Sequence, residues 1–200
     1  MRLVLASASP ARLHMLRAAG LSPEVIVSGV AEEGVTGSPA HVAQTLATRK
    51  AQAVADGVAG TAVVIGCDSV LDLGGKMFGK PASAQDATTR WQQMRGRTGY
   101  LLTGHSVIRT DTNQQVSDVA RTAVTFGQPS DAEIAAYVAT GEPQRVAGAF
   151  TIDGLGGWFV ERLEGDHGNV IGISLPLVRR LLDQLDIAVV DLWLSQDTAP

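Results

Sequence analysis

Ala62-Val63-Val64-Ile65 is a continuous apolar run set between Gly60-Thr61 and Gly66. Four residues are too few for a helix, and β-branched side chains favour an extended chain. A strand that is apolar on both faces has to be covered on both. The run therefore predicts the centre of a sheet with packed layers on either side. It continues through Cys67 to Asp68, where an acid is expected to end the strand. A desolvated carboxylate without a partner is costly, so Asp68 needs a cation, a metal or an opening to water. Ligands of α/β sheets bind at strand ends, which makes Asp68 the first candidate functional residue.

The chain start repeats the pattern in miniature. Leu3 to Ala6 predicts a short buried strand, and Ser7-Ala8-Ser9 a turn. Ser9-Pro10 then opens a helix to about Ala19, which Gly20 stops. The first turn of this helix holds no acid; it holds Arg12, a cation at the unfavourable end of the helix dipole. Two hydroxyls, an arginine and backbone amides at a helix N-terminus make an anion site. The alternative is that Ser9 simply caps and Arg12 is solvated.

Further elements follow from the same signals. Glu24 to Ser28 predicts a strand, followed by a loop with Glu32 and Glu33, which read as solvated acids or as part of a site. Ser38-Pro39 opens a long helix to about Val58 carrying Lys50, by itself an ordinary surface lysine. Gly74-Gly75 marks a hairpin, and Gly79-Lys80-Pro81 a stiff loop without the spacing of a Walker motif. Ser83 with Asp86, and Ser130 with Glu133, predict capping boxes for helices to about Arg95 and Thr140. Tyr100–Arg109 and Val116–Phe126 predict two long strands, the first interrupted at Thr103-Gly104-His105 by a bulge or a close backbone approach. Residues 147–157 are rich in glycine, Trp158 to Val160 predict a short strand, and 165–172 a loop. A helix from Ile173 to Leu185, a strand or short helix over 187–194, and frayed last residues complete the chain.

Composition narrows the functional classes. At 45% hydrophobic and 18% charged, 200 residues suit one domain with a real core. No apolar run is long enough for a membrane span, and the first strand begins too early to leave a signal peptide. One cysteine, Cys67, permits no internal disulfide and fits a cytoplasmic protein. It reads as a small buried hydrophobe. A net charge of −4 and 4% aromatic residues argue against nucleic-acid binding. The cations are thirteen Arg against three Lys, which singles out Lys50 and Lys80 as places where a compact ammonium is wanted. The histidines show no metal spacing.

Ser7, Ser9, Arg12, Glu32, Lys50, Asp68 and Lys80 all lie near element ends. Three cations, two acids and a helix start match a metal–polyphosphate site, with one acid as base for a water. In this setting the chain resembles the Maf family of nucleoside triphosphate pyrophosphatases. The resemblance rests on S-A-S-P-A-R at 7–12, S-G-V-x-E at 28–32, L-A-x-x-K-A at 46–51, C-D-S-V at 67–70 and G-K-P at 79–81. It continues with G-R-T at 96–98, T-G-H at 103–105, G-E at 141–142, A-G-A-F-x-I-x-G at 147–154 and G-N-V-I-G-x-S-L-P at 168–176.

The resemblance implies an inosine-triphosphatase-like α/β fold: one domain over 1–200, with an elongated mixed sheet flanked by helices and a cleft between two lobes. It implies hydrolysis of a nucleoside triphosphate to the monophosphate and pyrophosphate, with Mg²⁺ or Mn²⁺, in a cytoplasmic protein that is often a homodimer. By motif position Asp68 is the catalytic base. Ser7, Ser9, Arg12, Lys50 and Lys80 bind the triphosphate, and Glu32 and Asp68 hold the metal. Three positions depart from the common pattern: Ala31 before the loop glutamate, Ala11 after Pro10, and Asp153 where glutamine is usual. The last two relate to base selection, and Asp153 is a candidate substrate contact. A nucleotide-binding regulator of cell division with little turnover is the alternative class.

Overall fold

The computed structural model describes residues 1–194. In chain order the elements are β1 (Arg2–Leu5), α1 (Pro10–Ala18), β2 (Glu24–Val25), α2 (Pro39–Ala55), β3 (Ala62–Leu73), β4 (Lys76–Phe78) and α3 (Ala84–Met94). They continue as β5 (Thr98–Arg109), β6 (Gln114–Phe126), α4 (Asp131–Ala139), β7 (Val160–Glu164), α5 (His167–Ile171), α6 (Leu175–Asp183) and α7 (Val189–Leu194). The strands form a seven-stranded sheet in the order β2-β1-β3-β5-β6-β7, with β4 paired to β3. β1 runs parallel to both β2 and β3, whereas β4 lies antiparallel to β3 and β7 antiparallel to β6. The fold is a mixed α/β sheet flanked by helices.

Five helices start alike. Ser9, Ser38, Ser83, Ser130 and Ser174 each accept a hydrogen bond from the third amide of the helix that follows. Each cap satisfies an amide that has no partner inside the helix. Ser130 and Glu133 complete the reciprocal capping box. Ser83 and Asp86 make only half of theirs, because the Asp86 carboxylate turns to Ala82 N and Arg90 instead.

The chain divides into two compact units. Among the described residues, the first comprises 1–68, 103–120 and 172–194. Here the period of two along β1 and β3 feeds two layers. Leu3, Leu5, Val63, Ile65 and Cys67 pack with Leu16 of α1 and Leu177, Val178 and Leu181 of α6. Val4, Ala6, Ala62 and Val64 pack with Ala51 and Val54 of α2. The second unit comprises 69–102 and 121–171. Its core is aromatic: Trp91 meets the edges of Phe126, Tyr137 and Phe159, and its indole donates to Ala149 O at 2.8 Å.

Several expectations are corrected. β3 does not end at Asp68 but runs on to Leu73, because Val70, Leu71 and Leu73 are buried and residues 71–73 pair with β4. β2 stops at Val25 rather than Ser28, and Val27 is exposed. Trp158 and Phe159 belong to a 3-10 turn, Leu155–Phe159, and the strand follows as β7. The 165–172 segment is not all loop: Gly168, Asn169 and Val170 are buried and helical in α5. The 187–194 segment is resolved in favour of a helix, α7. The expected frayed end, 195–200, lies outside the described residues. Among the described residues no helix is long and apolar enough to cross a membrane.

Candidate active site

Gly66 fixes where α2 meets β3. A Cβ at this position would lie 2.4 Å from Ala47 O and 2.7 Å from Ala51 N, so only glycine admits the helix backbone this close. Asp68 lies two residues further on the same face of the strand, under the same helix. Lys50, one residue before Ala51, reaches it directly: Lys50 Nζ donates to Asp68 Oδ1 at 2.5 Å. The same ammonium donates to Glu32 Oε1 at 2.5 Å. Lys50 and Asp68 are mostly enclosed, at 12% and 13% side-chain exposure, whereas Glu32 is 58% exposed. The enclosed contact therefore carries most of the coupling, since solvent weakens the outer one.

Burial pushes the Asp68 carboxyl above its ordinary value. Lys50, and behind it Arg12, pull the other way without cancelling the rise, and Glu32 adds to it. The result is a carboxylate that is more basic than usual yet held beside two cations. The neighbouring Cys67 thiol is fully buried and pushed up to about 11, first by desolvation. It packs with the apolar cluster of β1 and α6 as the small hydrophobe expected.

Arg12 is almost fully buried, and two of its guanidinium nitrogens are anchored within the protein. Its Nε donates to Gly172 O at 2.8 Å, and Nη1 to Ser7 Oγ at 3.0 Å. Ser7 Oγ also accepts from Ser9 N, and Ser9 Oγ accepts from Arg12 N. The start of α1 thus spends its amides largely on itself: Pro10 has none, and Leu13 N bonds Ser9 O. What it offers an anion is the oriented guanidinium, not a row of free amides.

The structure therefore gathers Ser7, Ser9, Arg12, Glu32, Lys50 and Asp68 within the first unit. Lys80 and Asp153 belong to the second unit, both exposed. Gly79 O, just before Lys80, is held by Gly148 N and by Arg90 Nη1. Asp153 accepts a hydrogen bond from Thr151 Oγ1. In the second unit the sequence passes over Tyr137 and marks Glu142 only within the G-E motif at 141–142. Glu142 accepts from Tyr137 Oη at 2.7 Å, Gly156 N at 2.9 Å and Leu155 N at 3.0 Å, and so ties down the loop after Asp153. The Gly141-Glu142 pair was visible as a motif, but its partners lie five to fourteen residues away.

A divalent cation is compatible with the donor set. The Glu32 and Asp68 carboxylates already converge on one cationic atom, Lys50 Nζ, and both are hard oxygen donors. Among the described residues no group of three or more His, Cys, Asp or Glu could hold a metal by itself. Two carboxylates completed by water and substrate oxygens suit magnesium-type ions.

A family model described as "Maf-like protein" matches residues 2–185. A nucleoside triphosphate pyrophosphatase of Streptomyces coelicolor is 60% identical over 195 residues, covering 96% of this chain and 94% of the relative. Proteins of the same name from Streptomyces avermitilis and Rhodococcus erythropolis are 57% and 52% identical. They cover 98% of this chain, and 96% and 98% of their own lengths.

Proposed function

Since the chain belongs to the Maf-like family, we propose that it is a hydrolase cleaving nucleoside triphosphates between the α- and β-phosphates, giving the monophosphate and pyrophosphate. The observation that carries the reading is the Asp68–Lys50–Glu32 cluster with the Arg12 guanidinium acting on the same carboxylate. Asp68 takes the proton of a water as the water oxygen bonds to the α-phosphorus. The bond from that phosphorus to the bridging oxygen breaks, and pyrophosphate leaves with the electron pair. A carboxyl raised above its ordinary value by burial accepts this proton more readily.

Arg12 and Lys50 supply positive charge where negative charge grows on the leaving group. Both are held by hydrogen bonds before substrate arrives, so little reorganisation is needed. Lys80 and Asp153 are included as further substrate-binding residues, with Asp153 on the base. Glu32 and Asp68 would hold Mg²⁺ or Mn²⁺. Such an ion, when bound, neutralises phosphate charge and acidifies water. The regulator without turnover is not favoured, because the relatives are named for hydrolysis.

Asp68→Asn tests the assignment. General-base loss is worth about 10²–10⁴ in rate. Pyrophosphate release over a panel of common and modified triphosphates is expected to fall by that much for every substrate. Near-normal turnover of this variant sinks Asp68 as the base.

A further inference from the structure

His105 is fully buried in β5, on the portion of the strand that belongs to the first unit. Both ring nitrogens are engaged. Nε2 lies 2.9 Å from Ser174 N, and Nδ1 lies 2.9 Å from Thr103 O. A backbone amide only donates, so Nε2 is the acceptor. The ring proton therefore sits on Nδ1 and goes to the Thr103 carbonyl. The tautomer is fixed by the backbone around it.

Ser174 is no ordinary partner. It caps α6, and two residues before it Gly172 O receives Arg12 Nε. Gly172 has φ +124°, and a Cβ there would come within 3.1 Å of Arg12 Nε. The 172–174 turn is thus the mould of the buried guanidinium, and the His105 ring holds the far end of that mould. The main chain of the same histidine reaches the other cation's helix. His105 O accepts from Gln44 Nε2 of α2 at 3.1 Å. Beside it, a Cβ on Gly104 would lie 2.3 Å from Ala43 O of α2. One residue is therefore fastened both to the turn that seats Arg12 and to the helix that carries Lys50.

We propose that His105 is a positioning residue for the triphosphate site: its neutral, Nδ1-protonated imidazole braces the Gly172–Ser174 turn and so sets the guanidinium of Arg12 for the phosphates. The inference rests on the reading of Arg12 as a phosphate ligand. His105 itself touches neither substrate nor reacting atoms.

Nitrogen-15 spectra of the imidazole in the folded wild type should show a protonated Nδ1 and an unprotonated Nε2. His105→Leu removes the acceptor and should shift the Arg12 Nε–H resonance. It should raise KM for the triphosphate about tenfold, the worth of one hydrogen bond to a charged group, and lower kcat as well, because Arg12 also meets the charge that grows on the leaving group. His105→Gln restores an acceptor and should recover most of the KM. In an Arg12→Lys background the leucine change should add little. An Nε2-protonated ring, an unmoved Arg12 resonance, or equal KM losses in both backgrounds would each overturn the proposal. The wild-type spectrum decides alone if the leucine variant does not fold. An unchanged KM in Arg12→Lys removes the phosphate role of Arg12 instead, and the resonance test of the linkage still stands.

Discussion

Lys50 stands between two carboxylates, and its removal separates packing from charge. Lys50→Met keeps most of the aliphatic stem but leaves Asp68 enclosed without its closest cation. An enclosed charge that loses a charged hydrogen-bond partner costs about 1.5–3 kcal/mol. Asp68 keeps some access to water, which favours the lower end of that range. Denaturant unfolding at neutral pH is expected to show this loss, with pyrophosphate release falling as well. The sequence marks Lys50 and Asp68 as candidates, the first by the scarcity of lysines and by its place in the L-A-x-x-K-A motif at 46–51. Nothing in the spacing of 50 and 68 said that they touch. That follows from Gly66, which lets α2 sit on β3 at one place only.

The turn and loop segments show a second kind of legibility. Serine caps announced the starts of α1, α2, α3 and α4 because capping is local, between residues three apart. The 147–157 stretch is legible in the sequence as a cluster of glycines and as the A-G-A-F-x-I-x-G motif at 147–154, but not in its conformation. Its last residues are held by Glu142, which accepts from Tyr137 and from the amides of Leu155 and Gly156. Burial pushes the Glu142 carboxyl up, but the hydrogen bonds from Tyr137, Gly156 and Leu155 outweigh it and the net shift is downward. A carboxylate held below its unfolded value stabilises the fold above the ordinary glutamate range of about 4.3. That contribution is lost as the pH falls through the lower folded value. Glu142→Gln should therefore be less stable than the wild type at neutral pH, and the gap should close as the pH is lowered through about 4 and below. A gap independent of pH in thermal melts would refute the role.

Across the molecule, the two layers of the first unit and the aromatic core of the second are built from apolar packing. The charged site is a different matter. Arg12 is buried, and Asp68 is raised by desolvation; both are costs the fold bears for the site. A ligand that joins these charges should recover part of that cost. Pyrophosphate with Mg²⁺ at 100 times its dissociation constant should stabilise the folded chain by about 2.7 kcal/mol. The melting temperature should rise with ligand in the wild type and much less in Arg12→Lys. An equal rise in both would place the ligand elsewhere.

The sequence by itself determined the alternation of buried strands and serine-capped helices, the family pattern of motifs, and the inventory of cations and acids. Those are written in local periodicity and residue type, which need no knowledge of distant neighbours. It misjudged the reach of β3 past Asp68 and the helical turn at 167–171, where buried neighbours overrode the local signal. Only the tertiary structure decided that Lys50 joins Asp68 to Glu32, and that Arg12 is seated on Gly172 O from 160 residues away. Only it gave His105 a place in that arrangement. The reason is geometric: contacts made across a sheet depend on register and on how closely a helix approaches, and neither is encoded in the spacing of the residues that meet.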